Sequence, residues 1–124
     1  MNFVLTDLQL YWWPVPVRIP DPDNAGKILE QTFKVQFEAQ SQDDAVAHTD
    51  GYQALSSAKE RADHERAWLC RVVRNWDDVV GPDKSPIPFN DQTFTAALQQ
   101  AWFRTGIYTA YQESINGQEA RLGN

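Results

Sequence analysis

The chain has a single cysteine, Cys70, so no disulfide can close within it. That usage suits a reducing compartment. No apolar run approaches the ~20 residues of a membrane span. The start, Met1-Asn2-Phe3-Val4-Leu5-Thr6-Asp7, lacks the basic residues and apolar core of a secretory signal. These absences read as a cytoplasmic protein with no membrane role. Positive charge is also short: 11 Lys and Arg stand against 17 Asp and Glu, for a net charge of −6. Such a chain has no general attraction for phosphate backbones or anionic bilayers, so nucleic acid is not an expected partner. The glycines at 26, 51, 81, 106, 117 and 123 are isolated, and no glycine-rich phosphate loop exists.

Aromatic residues are well supplied, at 12% of the chain with five Trp, which argues for a packed core over disorder. At 124 residues the chain is expected to form one domain, residues 1–124. Its pivotal stretch is Trp13-Pro14-Val15-Pro16-Val17-Arg18-Ile19-Pro20. The apolar residues at 13, 15, 17 and 19 share one face of an extended strand. The prolines at 14, 16 and 20 remove N–H donors from one edge only. A strand of this kind pairs along one side and is blunted on the other.

After the turn formers Asp21-Pro22-Asp23-Asn24-Ala25-Gly26, a second strand alternates Phe33, Val35 and Phe37 with Lys34, Gln36 and Glu38. Residues 1–40 therefore read as an antiparallel β-hairpin, with Leu8, Leu10 and Trp12 leading into it. Two strands alone are marginal in water, so helices must cover the apolar face. Residues 41–124 read as mainly helical. Ser41 or Asp43 caps a helical pattern that runs to about Trp76, with a break at Asp50-Gly51. Leu69, Val72, Val73 and Trp76 fall at i, i+3, i+4 and i+7, one apolar stripe. Gly81-Pro82-Asp83-Lys84 reads as a turn, with Ile87 and Phe89 pinning the loop. Asn90 or Asp91 caps a helix that carries Phe94, Leu98, Ala101 and Trp102. Thr105-Gly106 reads as a break before a last helix with Ile107, Tyr111 and Ile115. The tail from Gln118 to Asn124 is expected to be mobile. The expected class is α+β: an N-terminal antiparallel hairpin packed against three to four α-helices.

Candidates for chemistry are few. Asp44 and His48 are four apart and share a helix face, but a metal needs a third ligand and none recurs at fixed spacing. A solvated helix face is the stronger reading. Asp63-His64-Glu65 is weaker still, because adjacent residues diverge around a helix, and His64 reads as an exposed polar residue. Cys70 sits beside Leu69 at an apolar helix end and reads as a small hydrophobe. Asp77-Asp78 read as loop carboxylates. No catalytic, cofactor-binding or metal-binding residue is assigned. Trp12 and Trp13 are adjacent and point to opposite faces of a strand. With Trp13 in the core, Trp12 is expected to be covered by the rest of the chain; exposed, it is an anchor for a partner.

The ordered pieces resemble the tail assembly chaperones of long-tailed bacteriophages. The set runs from the proline-bordered strand at 13–20 through Thr32-Phe33-Lys34-Val35-Gln36-Phe37 and a polar helix. The aromatic loop Val73-Arg74-Asn75-Trp76-Asp77-Asp78-Val79-Val80-Gly81 comes next. Ser85-Pro86-Ile87-Pro88-Phe89-Asn90 opens a helix, Ala110-Tyr111-Gln112-Glu113-Ser114 follows, and Glu119-Ala120-Arg121-Leu122-Gly123-Asn124 ends the chain. The stretch from Asn75 to Phe89 is the most specific. The resemblance implies a non-catalytic protein, without cofactor, that binds the apolar tape measure protein during tail building. It also implies delivery of tail tube subunits, residence in the bacterial host cytoplasm and absence from the mature virion. Many such chaperones also exist in a longer form made by ribosomal frameshifting, and this chain matches the shorter one. A homo-oligomer is compatible with all of this. Aromatic anchor chemistry nominates Trp12, Trp76 and Trp102 as partner-binding residues. Two competing readings are a structural subunit of a phage tail or connector, and a small metal-dependent hydrolase built on Asp44, His48 or Asp63 to Glu65.

Overall fold

The computed structural model describes residues 1–6 and 9–120. Leu8, expected to lead into the first strand, and the end of the tail, Arg121 to Asn124, lie outside the described residues. The elements are β1 (Leu10–Pro20), β2 (Ile28–Glu38), α1 (Gln42–Gln53), α2 (Ala58–Val72), β3 (Val73–Asp77), α3 (Asp91–Ala97) and α4 (Ala101–Ile115). They form an α+β fold around a three-stranded antiparallel sheet in the order β1-β2-β3.

The hairpin pairs Leu10 with Glu38 through Pro20 with Ile28 without a slip. Two backbone bonds bracket this ladder. Ala39 N–H donates to Gln9 O at 2.9 Å, and Asp21 N–H donates to Lys27 O at 2.9 Å. Both are odd-numbered pairs. Because the pattern alternates, the odd positions of β1 bond to β2 and the even positions face outward. Pro14, Pro16 and Pro20 therefore stand on the unpaired margin, and the alternation read from the sequence is realised. Asp21 shapes the turn, accepting from Asp23 N–H and from Asn24 Nδ2 at 2.9 Å each. Gly26 takes φ +80°, a conformation that favours glycine.

The same alternation carries across the sheet. Even positions of β2 bond to β3, pairing Lys34 with Asp77 and Gln36 with Asn75, so Trp76 turns its backbone outward. Its N–H is taken by Asn75 Oδ1 at 2.8 Å. Proline removes three donors from one margin, leaving those of Leu10, Trp12 and Arg18, and a side-chain amide takes the outward Trp76 donor on the other.

The third strand corrects the sequence reading, which extended a helix to Trp76. The helix α2 ends at Val72, and Val73 begins β3. Val73 and Trp76 are both buried although three residues apart, because the register shifts between Gln36 and Phe37. That bulge turns both side chains inward and mimics helical spacing in the sequence.

Two further breaks are misplaced by the sequence. The helix α1 continues through Gly51, and the chain turns only between Gln53 and Ala58, where Ser57 caps α2. Similarly, α4 runs unbroken through Gly106, and the real break separates Ala97 from Ala101. The expected face of Phe94, Leu98, Ala101 and Trp102 is thereby divided between two helices. The other caps stand as read. Ser41 Oγ accepts from Asp44 N–H, and Asn90 forms a reciprocal capping box with Thr93.

The core lies on one face of the sheet. Val15, Val35, Phe37, Leu69, Val72 and Ile107 are essentially inaccessible. The helix α4 lies along β1, and α2 lies along β2 and β3. Full burial of each such apolar side chain is worth ~1.5–3 kcal/mol. Beside them is an aromatic cluster. Phe33 stacks on Phe103 at 5.1 Å, and Trp76 meets Phe89 edge-on at 5.3 Å. No described helix is long and apolar enough to cross a membrane.

Candidate functional site

The three tryptophans nominated as anchors end in three different settings. Trp76 is only 7% exposed and belongs to the core. Its indole N–H donates to Ile87 O at 2.8 Å, and its ring sits among Phe89, Phe94 and Phe103. It holds the loop after β3 in place, and what remains exposed of it lines the groove that also runs beside Trp102. Trp12 is 47% exposed on the face of the sheet that the helices leave uncovered, beside the exposed Leu10. The expectation that the chain covers it is thus corrected. Trp102 is 43% exposed at the start of α4, with its indole N–H on Gln100 Oε1 at 2.9 Å.

Trp102 stands on a groove of about 980 Å³ between the hairpin, the loop after β3 and the α3–α4 corner. Val17, Ile19 and Phe33 form its floor from the sheet, and Val79, Val80 and Ile87 form the opposite wall. The hairpin creates the groove because its distal half outruns the helices: Leu29, paired with Ile19, is 40% exposed although it belongs to the inner face. The loop wall is well tied. Gly81 N–H donates to Ser85 O and Ile87 N–H to Val79 O, each at 2.9 Å. Ser85 donates both its N–H and its hydroxyl to Asp83, which holds that carboxyl below the usual range. Lys34 of β2 pairs with Asp78 of this loop at 3.1 Å. Gln31, Asp78, Lys84, Thr93 and Gln100 add polar groups among these apolar walls, so the groove can hold apolar side chains with polar neighbours.

The residues weighed for hydrolysis meet in a polar cluster where α1 docks on α2. His48 Nε2 contacts Glu65 Oε1 at 3.0 Å, and His64 Nε2 bonds His48 O at 2.8 Å. The two imidazoles stack at 4.6 Å, and His48 stacks on Trp68 at 4.3 Å. His64 is half-buried in this stack and is not the exposed residue expected. Burial holds His48 below its ordinary pKa, with His64 adding to the effect and Glu65 opposing it. Tyr108 of α4 donates its hydroxyl to Glu65 Oε2. Its pKa is raised by burial first and by the Glu65 carboxylate second. Asp44 is engaged elsewhere, accepting from Arg71 Nη2 at 2.7 Å, and Asp63 binds Lys59 and Arg66.

This cluster ties helices together. Among the described residues, no group of three or more His, Cys, Asp or Glu can hold a metal ion. Burial pushes the Cys70 thiol up, and Asp91 adds to the rise, so it is a poor nucleophile. Sequence reasoning paired His48 with Asp44 along one helix, named Glu65 without joining it to His48, and missed Trp68 and Tyr108. Those partners lie on other helices, and local spacing carries no signal for them. No family model matches the chain, and neither a curated protein nor a solved structure matches it.

Proposed function

We propose that the chain is a non-catalytic assembly chaperone of a long-tailed phage, holding the tape measure protein and bringing tail tube subunits to it. The observation that carries the protein-binding part is the groove beside Trp102, with Val17, Ile19, Phe33, Val79, Val80 and Ile87 in its walls, on a sheet whose β1 margin is blunted by prolines. A partner docks by side chains in a groove, not by adding a strand. The ordered motifs at 13–20, 32–37, 73–81 and 85–90 support the phage-tail assignment. A net charge of −6 keeps a complex with an apolar partner soluble. In this reading the protein works in the host cytoplasm and leaves before the virion is complete.

The test is co-expression with the tape measure protein from the same genome. The wild-type chain is expected to move that protein into the soluble fraction, and Trp102→Ala to lose most of this effect while keeping its fold. An equally insoluble partner with and without the chain overturns the proposal. So does recovery of the chain from purified virions by mass spectrometry, which marks a structural tail or connector subunit.

A further inference from the structure

We infer that residues 1–6 are a docking arm that inserts Phe3, Val4 and Leu5 into the groove beside Trp102 on a second copy of this chain. The arm stands apart from the fold. Phe3, Val4 and Leu5 are 89%, 75% and 88% exposed, whereas the large apolar residues described from Leu10 onward reach 50% at most. No charged side chain falls within residues 1–6. Contiguous apolar residues left in water in this way mark an interaction site.

The groove offers matching chemistry. Val80 and Trp102 are exposed along it, and Ile19, Val79 and Ile87 are half-buried beside them. Asp78 and Lys84, the charged residues that line it, are opposite in sign, so an uncharged arm meets no net charge there. At about 980 Å³ the groove has room for three apolar side chains. In an extended arm Phe3 and Leu5 point to one side and Val4 to the other. One side then faces Ile19 on the sheet, and the other faces Val79 and Val80 on the loop.

Chain geometry assigns the arm to a second copy. Gln9 O accepts from Ala39 N–H, so the strand, followed backward, is still leading away from the groove at residue 9. Ile19 lies ten residues along the strand from Gln9, which is ~33 Å at the usual strand rise. Phe3 is six residues from Gln9 and spans ~22 Å at full stretch. The arm therefore cannot fold back to Ile19 of its own chain. Arm and groove lie at opposite ends of the hairpin. Two copies set side by side in opposite directions place each arm at the other's groove, and both contacts close in one pair. The charge of −6 on each copy opposes their approach, so the pair is expected to tighten as salt is added. The inference rests on the groove as a docking site for apolar side chains, and it makes the arm a rival of the tape measure protein for that site.

The experiment is sedimentation equilibrium of the full chain from about 10 µM to about 1 mM. The weight-average mass is expected to rise from one chain toward two. A chain lacking residues 1–6 and the variant Val80→Asp should each stay at one. Both changes fall on exposed residues, so the circular dichroism of the full chain should be kept. Mixed together, these two chains should pair again, because one supplies the groove and the other the arm. The mixed pair should be weaker than the original, since it makes one contact in place of two. A full chain that stays single at every concentration overturns the proposal. So does self-association that survives either change, or a mixture that does not pair. No tape measure protein is needed. Pairing by a chain that leaves that protein insoluble keeps the arm and removes the proposed function; solubilisation by a chain that never pairs does the reverse.

Discussion

Gly106 lies directly against Val17: a Cβ at position 106 would stand 3.0 Å from Val17 Cγ2, and 3.1 Å from the carbonyl oxygen of Pro16. The helix α4 approaches β1 this closely because nothing projects from residue 106. The residue is buried in the middle of the helix, where glycine costs up to ~1 kcal/mol relative to alanine. Its presence is explained by the contact and not by helix propensity.

Gly106→Ala is therefore expected to destabilise. Alanine recovers up to ~1 kcal/mol of helix propensity, and overpacking costs ~1–3 kcal/mol. The nearest obstacles include a backbone carbonyl, which cannot swing aside like a side-chain terminus, so packing wins. Urea unfolding should show a net loss of about 1 kcal/mol. A midpoint equal to or above that of the wild type would contradict the account.

His48 makes stability depend on pH. Its folded-state pKa lies below the ordinary value of 6.5, chiefly because it is desolvated between α1 and α2. The unfolded chain therefore takes up the proton first as pH falls. The contribution is complete above about 6.5 and is lost as pH falls through the lower folded value. Glu65 opposes the loss, since it stabilises the charged imidazole, and His64 on the other side of the stack promotes it. Thermal unfolding midpoints are expected to drop between about pH 7.5 and pH 5.5. His48→Gln, which cannot titrate, should drop less across the same interval. Identical slopes for the two chains would remove His48 as the source.

Trp76 links the strand β3 to the loop that walls the groove. Trp76→Phe keeps a ring in the aromatic cluster but leaves the carbonyl of Ile87 without its indole donor. An unpaired polar group of this kind costs ~1–3 kcal/mol. Faster hydrogen exchange is expected at the Ile87 and Gly81 amides, whose bonds to Val79 O and Ser85 O close the loop. Exchange unchanged at both amides would show that the indole does not hold the wall.

Much of the fold was legible because its signals are local. The proline positions of β1 declared which edge would pair, since a missing N–H acts wherever the strand lies. Ser41 and Asn90 declared helix starts, because a cap bonds residues only three positions away. The two glycines read as breaks show where local reasoning ends. Gly106 and Gly51 are both helical, and each is small to admit a neighbour from another element. At Gly51 the neighbour is His64, whose Cε1 would lie 2.9 Å from an added Cβ. A glycine that ends a helix and one that receives a contact look the same in a sequence.

The candidate sites were less legible for the same reason. The acidic balance, the lone cysteine and the alternation of β1 and β2 belong to the chain itself, and they settled the class of fold and the proline-blunted margin. Which tryptophan faces solvent and which carboxylates are already paired were decided only by packing. Those properties arise between residues far apart in sequence, as with Glu65 and Tyr108. Hydrogen bonds, stacking and burial act over a few ångströms of space, and only the folded chain sets which groups stand that close.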